Sequence, residues 1–193
     1  SDSITMTKDA EDIVFAIQTL LKYFQIDKAI IGIENNKPNA ISAIKTAIGD
    51  NAQISVKVLP SVYPQGGEKV LIYHTTGKVV PKGKLPIDVG CVVINSTTTA
   101  FIGKYIKTGM PLVEKCVTVD GSAVKEPKNV IVPIGTPAEE VFEFCGGFTE
   151  DPAKIIFGGP MMGISASDLD APVLKQTNAL LALSEKEAAI PEP

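Results

Sequence analysis

The first half of the chain alternates between stretches of helical and of strand periodicity. From Lys8 to Phe24, apolar residues recur at intervals of three and four, which predicts an amphipathic helix. Lys28 to Glu34 is apolar almost throughout, the pattern of a parallel strand that is covered on both faces. The same reasoning predicts further helices over 38–48, 68–76 and about 96–109, and further strands over 54–59 and 89–94. This order predicts an α/β layer with a largely parallel sheet over residues 1–110.

The second half has the pattern of a small mixed module. β-branched residues flank an Asp120–Gly121 turn, which predicts a hairpin of segments 115–119 and 130–133. A strand is also expected over 154–157. Together with one helix, these elements predict a β-grasp domain over residues 111–165.

The helix of this module is expected to follow Thr136, because Thr136 and Glu139 have the spacing of a capping box. The glycine pair 146–147 then ends it. The remaining segment, residues 166–193, contains an apolar stretch that either packs back on the module or leads onward to a further domain.

Composition and charge exclude several classes of protein. Hydrophobic residues at 45% and charged residues at 21% are values of a globular chain. The net charge of −4 argues against a polyanion-binding surface, so no nucleic-acid partner is expected. No apolar run approaches the roughly 18 to 20 residues that a membrane helix needs, so we expect membrane association only through partner subunits.

The cysteines and the single histidine offer little to metal binding or nucleophilic catalysis. Cys91, Cys116 and Cys145 lie far apart without a C-x-x-C pair, and only His74 could help them hold a metal. We therefore expect no metal site and no catalytic residue, and we interpret the cysteines as buried thiols in a reducing cytoplasm. One histidine on an expected helix also argues against a hydrolase triad.

Three loops could line one site, because ligands of open α/β sheets bind beyond the carboxyl ends of the strands. They are Glu34–Lys37 after the first strand, Tyr63–Lys69 after the second and Asn95–Thr98 after the third. If the strands are parallel neighbours, these loops share one edge and offer hydrogen-bonding groups to a nucleotide or flavin. Each loop alone is also explained as a solvated turn. None of them matches a G-x-G-x-x-G or P-loop motif.

One run, K-I-I-F-G-G-P-M-M-G over 154–163, joins a strand pattern to glycines, a proline and two adjacent methionines. Taken alone, it is explained by a tight corner with a methionine-filled core. The run also resembles the G-G-P-[ML]-M-G signature of RnfC, the NADH- and FMN-side subunit of the Rnf electron-transport complex.

The resemblance to RnfC covers about Asp2 to Leu183 and includes several motifs in the same order. Asn95 and Thr98 fall on the family's N-V-x-T motif, with Ser96 in place of the valine. The other matching motifs are I-G-I-E-N-N-K-P over 31–38, Y-P-Q-G-G-E-K over 63–69 and T-G-K-V-V-P over 76–81. The first of these is also similar to a strand-end segment of the flavin-bearing subunit of respiratory complex I.

This resemblance implies cofactors, partners and contact residues. It implies FMN and NAD(H) as cofactors of the intact protein, with 4Fe-4S clusters in a missing C-terminal domain. It implies NADH and the other subunits of a membrane-bound complex as partners, at the cytoplasmic face of the cell membrane. The implied cofactor-binding residues are Glu34, Asn35, Asn95 and Thr98, together with Gly66, Gly67 and Glu68 on the nucleotide side.

Two features of the family, a glycine-rich flavin loop and paired cysteine cluster motifs, have no counterpart here. With the opening Ser1-Asp2-Ser3 and the polar tail over 187–193, this favours an internal piece of a longer polypeptide. We expect the piece alone to bind FMN weakly or not at all and to lack NADH dehydrogenase activity. Two alternatives stay open: a paralogous flavoprotein that feeds a cobalamin or amino-acid reductase, and a docking module without redox function.

Overall fold

The computed structural model describes residues 2–160, 162–166 and 168–188. They form two compact units, Asp2–Met110 and the part of the chain from Pro111 onward. This division coincides with the expected change of pattern near residue 110. Met161 and the end of the polar tail, residues 189–193, lie outside the described residues.

The first unit contains a parallel pair of strands flanked by helices. Its elements are α1 (Asp2–Lys8), α2 (Ala10–Phe24), β1 (Ala29–Glu34), α3 (Pro38–Ile48), β2 (Ile54–Leu59), α4 (Glu68–Thr76), a 3₁₀ helix (Pro86–Val89) and α5 (Ser96–Thr108). In the parallel pair, Ala29 lies opposite Ile54 and Glu34 opposite Leu59. The predicted bounds of α3, β2 and α4 are confirmed. The signals there are local, such as Pro38 at the first helical position.

The core of the first unit lies between the helices and β1. Its largest buried cluster consists of Met6, Ala10, Ile13, Ile33, Ala40, Ile44 and Ala100. Helices α2 and α5 approach closely at Gly103, where a Cβ atom would lie 2.1 Å from the carbonyl oxygen of Asp12. Only a glycine leaves room for this crossing.

One predicted strand of the first unit is wrong. In the described stretch 86–95, the expected strand over 89–94 does not form, because the 3₁₀ helix ends at Gly90 (φ +67°) and the chain then pairs with no strand. Val92 is 67% exposed, and apolar alternation forms a strand only where a neighbour completes the ladder. The helix predicted over 8–24 is confirmed as α2, which begins at Ala10 and ends at Phe24, although Phe24 lies outside the core at 61% exposure.

The second unit contains a mixed sheet with one helix against its core. Its elements are β3 (Glu114–Asp120), β4 (Lys128–Pro133), α6 (Ala138–Phe144), β5 (Lys154–Phe157), β6 (Ile164–Ala166), β7 (Ala179–Leu183) and α7 (Glu185–Ala188). The strands lie in the order β4-β3-β7-β5-β6. Val117, Val119, Phe142 and Leu180 are fully buried between sheet and helix. The predicted α/β class and the hairpin of β3 with β4 are confirmed.

Strand β7 lies in the middle of this sheet. It runs parallel to β3, with Val119 opposite Leu180, and antiparallel to β5, with Ile156 opposite Leu181. Of the two possibilities for the apolar C-terminal segment, packing back on the module is therefore the one observed. The second unit extends past residue 165, where the sequence pattern predicts the start of a separate C-terminal extension.

The predicted capping box of α6 is wrong. Thr136 Oγ1 donates to the carbonyl oxygen of Pro133 at 2.9 Å, and Pro137 occupies the N-cap position without a side-chain hydrogen bond. The hydroxyl thus closes the turn that follows β4 instead of capping the helix. The predicted end of the helix is confirmed, because Gly146 and Gly147 follow it at φ +80° and +77°.

The glycine-rich run after β5 is a tight corner that leads into β6. Gly158 has φ +109°, and a Cβ on Gly163 would lie 2.3 Å from Ile156 Cγ2. The corner interpretation is therefore confirmed. Met162, however, is 91% exposed and contributes nothing to a methionine-filled core.

Candidate functional site

The loops after β1 and β2 meet at the carboxyl edge of the parallel pair. Asn35 N–H donates to the carbonyl oxygen of Leu59 at 2.8 Å, which continues the β1–β2 pairing past the end of β1. One residue later, Asn36 Nδ2 donates to Ser61 Oγ at 2.8 Å. These bonds join the first predicted loop to the end of β2 and to Ser61, which lies two residues before the second predicted loop begins.

Glu34, the last residue of β1, is half-buried and paired. Its side chain is 29% exposed, and its Oε2 atom forms an ion pair with the Lys37 ammonium group. The backbone repeats the link, because Lys37 N–H donates to the Glu34 carbonyl oxygen at 3.1 Å. The i, i+3 spacing was the only sequence signal for this partner. The pair leaves the edge with little net charge from Glu34.

The turn at Gly66 and Gly67 forms the start of α4. Gly67 is the N-cap residue, and its N–H donates to the carbonyl oxygen of Pro64 at 2.8 Å. Among the described residues, no side chain caps this helix, so its first N–H groups remain available to a ligand. Nothing lies within 4 Å of a Cβ built on Gly66, so the backbone there can be approached directly. Glu68 follows as the exposed first residue of α4.

Helix α3 also begins at this edge without a side-chain cap. Its N-cap residue is Lys37, and Pro38 takes the first helical position. Helices α3 and α4 thus both begin uncapped after a strand of the parallel pair, and each N-terminus carries the positive end of a helix dipole. Such an arrangement favours an anionic group, such as the phosphate of a nucleotide.

Gln65 is a buried residue that no motif singled out. It is 3% exposed, and its Oε1 accepts from His74 Nδ1 at 2.9 Å. Within the described part of the chain, its buried Nε2 has no hydrogen-bond partner. A buried donor without an acceptor is costly, and this one lies directly before the Gly66–Gly67 turn. Only its place in that turn could have indicated it from sequence.

The third predicted loop, Asn95–Thr98, forms the start of α5 and is hydrogen-bonded to α1. Asn95 Oδ1 accepts from the N–H groups of Thr97 and Thr98 at 2.8 and 3.4 Å, so Asn95 is the N-cap of α5. Its Nδ2 donates to Asp2 Oδ2 at 3.2 Å, and Thr97 Oγ1 donates to Asp2 Oδ1 at 2.9 Å. These bonds engage the Asn95 side chain within the fold.

Asn95 and Thr98 are not brought onto the other two loops by hydrogen bonds. No such bond links them to the segments 34–37 or 60–69, all of which the structure describes. Since the preceding strand does not form, the shared-edge reasoning does not apply to this loop. The two places share a core, because Ala100 and Ile33 belong to the same buried cluster.

Among the described residues, no group of three or more histidine, cysteine or carboxylate side chains could hold a metal ion. Two side chains with a shifted pKa, Glu126 and Cys145, lie in the second unit. A hydrogen bond from Lys128 lowers the pKa of Glu126, and burial raises the pKa of the Cys145 thiol. None of the helices over residues 2–160, 162–166 and 168–188 has the length and apolar character to cross a bilayer.

Comparison with known families assigns both units. Residues 1–104 match the model of the Nuo51 FMN-binding domain, and residues 116–165 match the model of the SLBB domain. The two matches fall on either side of the boundary at residue 110. The resemblance seen in the sequence motifs is thereby confirmed.

Curated relatives share sequence along nearly the whole chain. The RnfC subunit of the proton-translocating ferredoxin:NAD(+) oxidoreductase complex of Clostridium ljungdahlii is 44% identical over 97% of this chain and 41% of its own length. The counterpart from the Na(+)-translocating complex of Acetobacterium woodii is 42% identical over 100% and 44%, respectively. The counterpart from the ion-translocating oxidoreductase complex of Rhodobacter capsulatus is 38% identical over 96% and 36%. The chain thus spans less than half the length of these relatives.

Proposed function

The chain belongs to the family of Nuo51 FMN-binding domains, and from this we propose that it is the FMN- and NAD(H)-handling part of the RnfC subunit of an ion-translocating ferredoxin:NAD oxidoreductase complex. The observation that supports this most is the joined edge of β1 and β2. Hydrogen bonds connect the loop that carries Glu34 and Asn35 with the loop that leads to Gly66 and Gly67. The whole edge lies within the residues that match the FMN-binding family.

The donors at this edge fit a phosphate-bearing cofactor such as FMN. The first turn of α4 offers uncapped N–H groups, and Gly66 leaves its backbone open to approach. The unpartnered Nε2 of Gln65 supplies a further donor beside them. No carboxylate of the edge repels the phosphate strongly except Glu68, because Glu34 is paired with Lys37.

We assign the residues of the site to two roles. The nucleotide side uses the backbone of Gly66 and Gly67 with Glu68, and the flavin side uses Glu34, Asn35, Asn95 and Thr98. Asn95 acts by fixing the first turn of α5, since its own side chain is engaged in the cap. FMN, when bound, converts between hydride and single-electron transfer, while the chain binds and orients it.

The rest of the proposed activity depends on the parts of the relatives' sequences that lie outside the region matched by this chain. The relatives are more than twice as long as the matched part, at 41% and 44% coverage. We propose that the remainder completes the flavin site and carries iron–sulfur clusters. Electrons then pass between NAD(H), FMN, the clusters and ferredoxin, on a subunit held at the cytoplasmic membrane face by its partners.

Flavin retention in the full-length protein tests this proposal. We expect the purified full-length protein to contain FMN, and NADH added without oxygen to bleach its flavin absorbance. Gly66→Val places a side chain over the open backbone without a clash in the fold, so FMN affinity should fall about tenfold or more, equivalent to about 1.4 kcal/mol. Gly159→Val is the matched control, because Gly159 is equally unobstructed but lies in the second unit.

Two results would contradict the proposal. One is a full-length protein without flavin under reducing and non-reducing preparation. The other is a Gly66→Val protein that retains FMN as well as the control does. Stoichiometric flavin on the isolated 193-residue chain would contradict only the expectation of weak binding by this piece.

A further inference from the structure

The segment that follows α4 carries an unusual concentration of positive charge. Between Glu68 and Asp88 the chain has the four lysines Lys69, Lys78, Lys82 and Lys84 and no carboxylate, although its net charge is −4. All four lysine side chains are exposed. We call these four residues the basic patch.

Three of the four lysines, Lys69, Lys82 and Lys84, meet at one turn of the segment. Lys69 Nζ, on α4, donates to the carbonyl oxygen of Pro81 at 3.3 Å. Lys84 N–H donates to the same carbonyl at 3.1 Å, which closes the turn that contains Lys82. Lys78 Nζ donates to the carbonyl oxygen of Val89 at 2.7 Å. Among the described residues, none of the four ammonium groups has a carboxylate partner.

Apolar side chains accompany the lysines. A cavity of about 400 Å³ lies between α4 and the segment after it, lined by Lys69, Val70, Tyr73, His74, Val79 and Val80. Val79, which lines the cavity, is 68% exposed, and Leu85 and Ile87 farther along the same segment are 65% and 64% exposed. Exposed apolar side chains that are rimmed by polar ones mark interaction sites for proteins or membranes.

We propose that the basic patch and this cavity form a docking surface for a carboxylate-rich face of another protein of the complex. The inference rests on the proposed function, which supplies an assembly to dock into. Four uncompensated ammonium groups select an acidic partner surface by charge complementarity, and the cavity receives one apolar side chain from that surface. A protein face suits a concave apolar site better than a flat lipid surface does. The acidic remainder of the chain repels nucleic acid.

Charge reversal in the full-length protein, co-expressed with the other members of the complex, tests the docking surface. We expect the triple variant Lys78→Glu, Lys82→Glu, Lys84→Glu to co-purify about tenfold less with its partners at low salt. The matched control reverses Lys22, Lys28 and Lys45, which are exposed on α2, before β1 and on α3. The control should stay bound to the partners. A variant with arginine in place of Lys78, Lys82 and Lys84 keeps the charge and should also stay bound. Rising potassium chloride should release the wild-type protein progressively.

A second variant tests the cavity independently of the lysines. Val79→Glu puts a carboxylate on an exposed position at the cavity margin, so the fold tolerates it while an acidic partner is repelled. We expect partner retention to fall without a change in flavin content. Measuring flavin content and NADH bleaching on the same preparations separates the two proposals, because a wild-type protein without flavin contradicts the proposed function alone.

Three outcomes overturn the docking surface. The triple variant and Val79→Glu could co-purify as the wild type does. The control could lose its partners as fully as the triple variant. Or the purified protein could bind phosphatidylserine vesicles through the basic patch while the assembly is unchanged by the triple variant, which would make the patch a membrane contact.

Discussion

Asn36 and Ser61 are joined by a side-chain hydrogen bond of 2.8 Å that holds together the two loops of the proposed cofactor edge. Both residues are exposed, so the bond competes with water. We expect a double-mutant cycle of Asn36→Ala and Ser61→Ala to give a coupling of about 0.5 kcal/mol in the free energy of unfolding. Urea denaturation measures it, and a coupling of zero would show that the loops are held by the backbone alone.

The close crossing of α2 and α5 predicts a large effect at one glycine. Gly103→Ala places a Cβ 2.1 Å from the Asp12 carbonyl oxygen, so the helices must move apart. We expect a loss of about 3 kcal/mol in the free energy of unfolding, measured by chemical denaturation. Gly66→Ala, where nothing lies within 4 Å, is the control and should change stability by less than about 0.5 kcal/mol. Equal effects of both substitutions would contradict the crossing geometry.

Substitutions at Asn95 and Thr98 separate the structural contribution of this loop from its contribution to FMN binding. Asn95→Ala removes the acceptor for the N–H groups of Thr97 and Thr98, so the protein should lose about 1 kcal/mol of stability. Asn95→Ser keeps a capping oxygen and should lose much less. Thr98→Val leaves the capped N–H in place, so thermal unfolding should be unchanged while FMN content of the full-length protein falls. Unchanged FMN content in that variant would remove Thr98 from the site.

The unpartnered amide of Gln65 predicts an apparent contradiction between stability and binding. Gln65→Met keeps the volume and removes a buried donor without an acceptor, at the cost of the 2.9 Å bond with His74. We expect the stability to change by no more than about 1 kcal/mol in either direction, because the two effects oppose each other. FMN affinity of the full-length protein should nevertheless fall. Gln65→Ala instead leaves a void and should destabilise by about 2 kcal/mol.

Burial of Cys145 predicts a decline of stability at alkaline pH. Burial raises the pKa of this thiol in the folded protein, so the unfolded chain loses its proton first as the pH rises. The stabilisation is complete below the unfolded value of about 8.5 and is lost progressively as the pH rises from there toward the folded value. Denaturation curves between about pH 7 and about pH 10 should show a steeper decline for the wild type than for Cys145→Ala. Identical slopes would contradict this account.

Helix and strand bounds with local causes were predictable. Helix α3 begins at Pro38 and ends before Gly49, and β2 covers the expected 54–59. The strand expected over 89–94 is wrong, because its apolar residues needed a neighbouring strand that the fold does not provide. The apolar run Ala179–Leu183 shows the opposite case. Its sequence fits a helix or a strand, and it forms a strand because it pairs with β3 on one side and β5 on the other.

In the candidate site, too, some features have local causes and others depend on contacts between residues farther apart in the chain. Gly66, Gly67 and Asn95 became candidates through the family resemblance, and the N-cap positions of Gly67 and Asn95 depend on residues within a few positions. The partnership of Gln65 with His74, and the gathering of Lys69 with the turn at Pro81, join residues nine and twelve positions apart.

Local sequence thus predicted the change of pattern near residue 110, most helices and strands, and the resemblance to an FMN-binding family, since each depends on contiguous residues. Tertiary packing alone decided the central place of β7 and the engagement of Asn95 with Asp2. These features depend on contacts between segments far apart in the chain, and the free energy of such contacts exists only once the fold has brought the segments together.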